Sequence, residues 1–271
     1  MLCGLMTYEI LPATDATIAE VEIWLDAEEA AHKAAESAWE ANGYEGYVPP
    51  RGFRCNWDPT KDKWRERSGG IDMLIVDGEA VGFQGFGIFE IRPDYRRQGY
   101  GRILAEFMIR RAYDEGWSIF EIGIAPPSAE PFWESMGFTL VPERPDRGGG
   151  TFAYKMLPRH FELGHGDRVS YVVEFYTPDE RYGDNPTPIC TFAGVGERRD
   201  DGCIQLPERI CCFDPKEDAS LNWFVRIEVE GVEVHFDKLK RESSKAIGLE
   251  CDGGYIYFLD RICVTDVQSP S

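Results

Sequence analysis

The sequence has no apolar run approaching the roughly 18–20 residues that a helix needs to cross a bilayer, which excludes an integral helical membrane protein. Its opening, Met1-Leu2-Cys3-Gly4-Leu5-Met6, lacks the basic flank and the length of a secretory leader. Cysteine is sparse, 8 in 271 residues, far below the density of a disulfide scaffold. No Cys-x-x-Cys pair occurs, and the adjacent Cys211 and Cys212 are poorly placed to share one ion. Cys190, Cys203, Cys211, Cys212 and Cys251 therefore read as buried apolar thiols rather than zinc ligands. The expectation is a cytoplasmic protein with reduced thiols and no metal. Basic residues are also short: 29 Lys and Arg stand against 48 Asp and Glu, for a net charge of -19. A nucleic-acid surface needs clustered Lys and Arg, so the balance argues against nucleic acid and fits a cationic partner. The one basic patch, Lys238-Leu239-Lys240-Arg241, reads as a solvated face. Four histidines (His32, His160, His165, His235) are scattered, and none suits a general base. Internal repeats and low-complexity segments are absent.

At roughly 100–200 residues per domain the length suggests two domains. The acids are shared between the halves: residues 1–157 hold 26 acids and 16 bases, residues 158–271 hold 22 and 13. Within the first half the distribution is uneven. Residues 1–50 carry ten acids and one base, Lys33, whereas Arg51 to Arg67 carries six bases and three acids.

Thr7 to Leu11 reads as a strand closed by Pro12. A helix follows to Ala41, with Thr17 and Glu20 at capping-box spacing or Asp15 as the cap, a stripe of Ile18, Val21, Leu25 and Ala30, and Asn42-Gly43 as the stop. Residues 44–68 read as an irregular aromatic loop (Tyr44, Tyr47, Phe53, Trp57, Trp64) that lines a pocket or covers the core. Ile71–Val76, Asp77-Gly78 and Ala80–Phe86 form a hairpin, because Asp-Gly between apolar runs supplies the tight turn. Ile88–Ile91 is a strand, Arg102–Glu115 an amphipathic helix ended by Gly116, and Ile119–Ile124 the next strand. Strand, helix and strand in this order predict a βαβ unit with two parallel strands and a right-handed crossover. Gly148-Gly149-Gly150 reads as a flexible turn. After Pro158 the texture changes to hairpins. Residues 168–176 form a strand, 177–188 a loop, Val225–Val229 and Val232–Phe236 a hairpin about Glu230-Gly231, Asp237–Ile247 a short helix and Tyr255–Leu259 a last strand. This half predicts a small β sandwich or barrel.

The segment Arg96-Arg97-Gln98-Gly99-Tyr100-Gly101-Arg102 follows a strand and opens a helix. Two glycines let successive N–H groups face one concavity, the helix N-terminus adds its dipole, and three arginines supply positive charge: these are the requirements of a pyrophosphate site. It is not the dinucleotide fingerprint, since Leu104 stands where the third Gly belongs, nor a Walker loop, since no Gly-Lys-Ser/Thr follows.

Arg96-x-x-Gly99-x-Gly101 resembles the acetyl-CoA loop Arg/Gln-x-x-Gly-x-Gly/Ala of the GNAT acetyltransferase superfamily. Ile91-Arg92-Pro93-Asp94-Tyr95 resembles that family's lead-in, and Ala129-Glu130-Pro131-Phe132-Trp133-Glu134-Ser135-Met136-Gly137-Phe138 its second motif. Tyr8 to Thr14 looks like the opening strand and Thr151 to Met156 like the closing strand, so the resemblance covers about residues 6–157. It implies an α/β (α+β) fold, a GNAT-like mixed sheet with a βαβ acetyl-CoA unit in residues 1–157. A smaller, mostly β accessory domain of unknown role follows in residues 158–271.

The same resemblance implies an acetyl-CoA-dependent N-acetyltransferase in which a primary amine attacks the thioester directly. Pantetheine would pair with Phe89-Glu90-Ile91 and the pyrophosphate would sit on Arg96, Arg97, Gln98, Gly99, Tyr100, Gly101 and Arg102. A free amine near neutral pH needs a proton acceptor, because a Lys-type amine has a pKa of about 10.4. Glu121, among apolar strand neighbours, is the first candidate and Glu90 the second. Trp133 stands where the family has a tyrosine that protonates the departing thiolate, and Pro126 where an asparagine is common. These departures leave as the alternative a catalytically degenerate acyl-CoA-binding regulatory or interaction protein. The acidic first wall implies a cationic acceptor, a small molecule or a Lys-rich protein. An RNA-directed GNAT toxin is argued against by the charge, and a homo-oligomer is a further expectation.

Overall fold

A computed structural model describes residues 7–48, 52–66, 70–145, 150–181, 186–216, 222–253 and 255–264. Gly148 and Gly149, read above as a turn, and the Met1–Met6 opening lie outside the described residues. The chain forms two compact units, Met1–Arg110 and Arg111–Ser271. No helix among the described residues is long and apolar enough to cross a membrane.

The first unit opens with β1 (Tyr8–Pro12) and α1 (Asp15–Ala41). The cap of α1 is Thr14, one residue before Asp15 and three before Thr17: its hydroxyl accepts the Thr17 N–H at 3.3 Å, and Thr17 Oγ1 accepts the Thr14 N–H at 2.9 Å. Glu20, the expected box partner, instead accepts the Ala80 N–H at 2.9 Å. The segment expected to be irregular contains α2 (Arg54–Arg65) despite Pro59 in its interior. Phe53, Trp57, Thr60 and Trp64, spaced four, three and four apart, form one helical stripe, and burying it outweighs the hydrogen bond that Pro59 removes. Trp57 and Thr60 are buried, with Phe53 and Trp64 packed against the same core.

β2 (Asp72–Val76) and β3 (Glu79–Gly85) form the expected hairpin, with Asp77 and Gly78 both at positive φ (49° and 89°) as its two-residue turn requires. β4 (Ile88–Ile91) completes an antiparallel sheet of order β1-β2-β3-β4, and α3 (Tyr100–Asp114) follows. Phe83 of β3 sits at the centre of the core on one face, its ring centroid 4.9 Å from Trp57, 6.0 Å from Trp24 and 6.2 Å from Phe53. A second cluster, which includes Leu74, Val81, Ile91, Tyr100 and Leu104, anchors the start of α3.

The second unit contains β5 (Ile119–Ile124), α4 (Glu130–Ser135), β6 (Thr139–Pro145) and β7 (Thr151–Met156), with antiparallel order β5-β7-β6. β4 falls in the first unit and β5 in the second, so the expected βαβ unit runs across both. β8 (Arg168–Tyr176), the one-turn α5 (Pro178–Arg181), β9 (Cys190–Arg198), β10 (Ile204–Cys212), β11 (Phe224–Val229), β12 (Val232–Lys238), α6 (Glu242–Ala246), β13 (Leu249–Cys251) and β14 (Tyr257–Ile262) complete the chain. α5 occupies part of the expected 177–188 loop, and the helix expected over 237–247 shrinks to α6 because β12 runs on to Lys238.

Seven of these strands form one antiparallel sheet, β12-β11-β8-β9-β10-β14-β13, rather than two stacked sheets. One core fills it, from Val169, Tyr171, Val173 and Phe175 of β8 to Leu259 and Ile262 of β14. α6 touches both terminal strands, so the sheet curls towards a barrel. Cys203 and Cys263 form a disulfide, which corrects the expectation that every thiol is reduced.

The curled sheet is bonded to β5 within this unit. Ile119, Cys211, Ile256 and Phe258 share one buried cluster with Tyr154 and Phe213. Arg209 carries the polar part of the contact. It pairs with Asp260 through two bonds of 2.8 and 2.7 Å, donates to Gly116 O at 2.6 Å and to Ser118 Oγ at 3.2 Å, and stacks over Phe258 at 3.6 Å. The 157/158 division drawn on the sequence thus falls between β7 and β8, inside this unit.

Candidate active site

β4 is an edge strand of its sheet, paired with β3 through Phe83↔Glu90 and Gln84↔Phe89. A single 3-10 turn, Pro93–Tyr95, carries the chain out of the strand. The loop then reverses at Arg97 (φ 62°) and Gly99 (φ 93°) and enters α3 at Tyr100. The Gln98 side chain donates to Asp94 O at 2.7 Å and the Ile103 N–H to Gly99 O at 3.2 Å, which fixes the turn at both ends. A helix that starts at Tyr100 offers no internal acceptor to its first N–H groups, and left-handed residues just before it curl the preceding amides toward the same side. An anion fits such a concavity, and a Cβ built on Gly99 meets nothing within 4 Å, so the space beside it is open.

The side chains of the loop divide. Arg97, Gln98 and Arg102 are exposed. Tyr100 is 6% exposed and belongs to the core, so only its backbone is offered to a ligand. The Arg96 guanidinium is turned back: Nε donates to Ile91 O at 2.7 Å, and Nη2 donates to Glu90 at 2.8 Å and to Glu28 of α1 at 2.9 Å. It is therefore committed to two carboxylates rather than presented to a phosphate.

Of the two candidate proton acceptors, Glu90 stands in this first unit beside the loop. Burial pushes its carboxyl above the usual carboxylate range; Arg96 pulls it down and Glu28 pushes it further up. Glu121 stands on β5 of the second unit, opposite Tyr154 of β7. It is exposed, not enclosed by apolar neighbours as its strand context suggested. Trp133 is buried, with ring centroids 5.0 Å from Phe132 and 5.3 Å from Phe138, so an aromatic core indole takes the place of the family's acid.

Glu28 is the residue that sequence reasoning missed. Ten acids crowd residues 1–50, and the first-half helix gives no local sign of which one meets Arg96. The structure separates them by partner. Asp26 pairs with Arg54 at 2.5 Å, Glu22 with Lys61, and Glu29 with Lys33 at 3.2 Å. The bases of residues 51–67 are thus partly spent on the acids of α1, and the negative field of that wall is smaller than the raw count.

Residues 36–138 match the model of the Acetyltransferase (GNAT) family. That stretch is under half of the chain, and its match agrees with the resemblance that the motifs carry. Solved structures of similar fold include a GNAT-family acetyltransferase from Staphylococcus aureus Mu50, 13% identical, covering 56% of this chain and 99% of its own, with a TM-score of 0.38. Another is the ribosomal-protein-S18-alanine N-acetyltransferase of Escherichia coli, 17% identical, covering 55% and 90%, at 0.32. A third, from Salmonella typhimurium, was solved with its cofactor acetyl-CoA and is 17% identical, covering 55% and 94%, at 0.36. Comparison with curated proteins finds no match.

Proposed function

We propose that the protein is an acetyl-CoA-dependent N-acetyltransferase that acts on a primary amine of a cationic acceptor. The observation that carries this reading is the turn at Arg97 and Gly99 leading into the N-terminus of α3, on a stretch that matches the GNAT model. Bound acetyl-CoA supplies the activated acetyl group. The backbone of Phe89 and Ile91 on the edge strand would hold its arm, and the amides of Arg97 to Arg102 its pyrophosphate. Holding donor and amine together removes the entropy of bringing them into contact, which is a large part of the barrier to such a transfer. The division into a donor-binding part, residues 1–157, and a β-rich accessory part, residues 158–271, belongs to the same reading.

The burial of Trp133 motivates a second reading, an acyl-CoA-binding protein without turnover. Thiol release from acetyl-CoA with a panel of primary amines separates the two: binding without release favours the second. In the same assay Glu121→Gln is expected to leave kcat within about twofold, because an exposed carboxylate is readily replaced by water as proton acceptor. A loss of about 10²-fold or more would return Glu121 to the role of base.

The acceptor's charge is tested by salt. For a cationic amine kcat/KM should fall as the Debye length shrinks from about 30 Å at 0.01 M to about 8 Å at 0.15 M, whereas a neutral amine should respond little. Equal responses would remove the cationic acceptor from the proposal.

A further inference from the structure

β13 and β14 form a hairpin at one edge of the curled sheet, and β10 is the strand that receives it. The ladder between β10 and β14 is interrupted. Ile204 and Gln205 pair with Ile262 and Arg261, the register then shifts, and pairing resumes only at Ile210↔Leu259. Cys203 and Cys263 continue the first short stretch by one step, and their disulfide closes it. The interrupted stretch holds the Arg209–Asp260 pair, which also reaches Gly116 O and Ser118 Oγ beside β5. Phe258, on the same strand as Asp260, covers Ile119 of β5. The other side of β14 is tied to the residues that follow α6. There the Cys263 N–H donates to Ile247 O at 2.8 Å, and a Cβ on Gly248 would lie 2.4 Å from Arg261 O. The hairpin and the turn before it are thus held to one another along their length, and to β10 by two short stretches. Both bridged cysteines are half-buried, and Cys203 follows the exposed Asp201 and Gly202, so the disulfide can be reached from solvent. The thiols at the far end of β10 do not compete with it. Cys211 and Cys212 are buried, and burial pushes the Cys211 thiol up to about 11.

We propose that the Cys203–Cys263 disulfide is a reductant-operated clasp: oxidised, it holds the β13–β14 hairpin on β10 and so keeps Asp260 on Arg209; reduced, it lets the hairpin open and uncover β5. The inference does not depend on the acetyltransferase reading. The co-reactant is a dithiol. One thiolate of the dithiol attacks a sulfur of the pair, the S–S bond breaks, and the other protein sulfur leaves as a thiolate. The second thiolate of the reductant then displaces the protein from the mixed disulfide. Two electrons and two protons have passed from the dithiol, now itself a disulfide, to Cys203 and Cys263. A bridge between residues 60 apart restricts the opened chain, so its loss weakens the attachment more than the loss of any one hydrogen bond of the ladder.

The experiment uses the full chain, purified without reductant and then treated with dithiothreitol. Mass spectrometry of alkylated peptides should find Cys203 and Cys263 joined before treatment and alkylated after it. Reduction should lower the melting temperature by about 10 °C. Amide exchange in β13 and β14 should quicken about tenfold or more, while β8 and β11 keep their rates. Oxidised glutathione should restore both quantities. Cys203→Ser combined with Cys263→Ser should show the reduced behaviour with and without dithiothreitol, and a variant that still responds to the reductant overturns the assignment to this pair. If the double variant does not fold, the reduced wild type carries the test alone, since it is reached from the folded protein. Exchange that quickens equally in β8, β11 and β14, as it does when the whole sheet unfolds, or that stays unchanged, overturns the clasp. So does a reduced protein that oxidised glutathione does not return to its starting state. Free thiols at both positions that oxidised glutathione fails to join overturn the disulfide itself.

Discussion

Arg209→Ala is expected to destabilise the protein by about 3–5 kcal/mol, the cost of breaking a buried ion pair. The Arg209 side chain is 7% exposed and satisfies three different groups at once: the Asp260 carboxylate, Gly116 O and Ser118 Oγ. Alanine leaves the Asp260 charge and the Gly116 carbonyl unpaired and removes the guanidinium from the face of Phe258, which adds up to about 2 kcal/mol. For a chain of this size the melting temperature should fall by about 10 °C. Arg209→Lys should be intermediate, because an ammonium keeps the charge but not the planar fork that binds Asp260 through both oxygens. Arg209→Met combined with Asp260→Leu should recover part of the loss, since it removes the stranded charge as well as its partner. Thermal unfolding of the three variants is the check. A melting temperature for Arg209→Ala within about 2 °C of wild type would mean that the contact between β5 and the curled sheet is held by its apolar cluster alone.

The same geometry bears on truncation. A chain ending at Leu157 keeps β5 and β7 but loses Cys211, Ile256 and Phe258, which cover Ile119 and Tyr154. It also loses the Asp252 carboxylate that accepts the Ser118 N–H at 2.7 Å. Residues 158–271 therefore complete the core beside β5.

The features that were legible in the sequence are those whose cause is local. Asp77-Gly78 and Glu230-Gly231 announce their hairpins because two successive residues at positive φ need such side chains, and both turns are present. The Gly99 loop is legible for the same reason. α2 was hidden by Pro59 and by the density of aromatics, although the Phe53, Trp57, Thr60, Trp64 spacing was there to be counted. What could not be read is pairing at a distance. Nothing near Cys203 or Cys263 in sequence marks them as partners, 60 residues apart. Likewise Glu28 is one acid among many on α1 until the fold brings Arg96, 68 residues away, to its carboxylate.

Gly99→Asp is expected to weaken acetyl-CoA binding by at least about 100-fold, or 2.7 kcal/mol. Two effects add. Gly99 sits at φ 93°, a conformation that L side chains rarely adopt, so any substitution strains the turn by about 1–3 kcal/mol. The carboxylate then places a negative charge among the amides proposed to hold the pyrophosphate, at the positive end of α3. Overcrowding is not among the causes, since a Cβ at this position meets nothing within 4 Å. Gly99→Asn separates the two effects: it bears a strain similar to that of Asp and carries no charge, so its affinity should lie between wild type and Gly99→Asp. Without acetyl-CoA the Asp variant should melt several degrees below wild type, the cost of that strain. With acetyl-CoA at about 100 times its dissociation constant, the wild type should gain about 2.7 kcal/mol of stability by mass action, and the Asp variant should gain almost none. Calorimetry and thermal shift read the two quantities independently. Wild-type affinity in Gly99→Asp would place the donor elsewhere on the protein and remove the Arg97–Arg102 amides from its site.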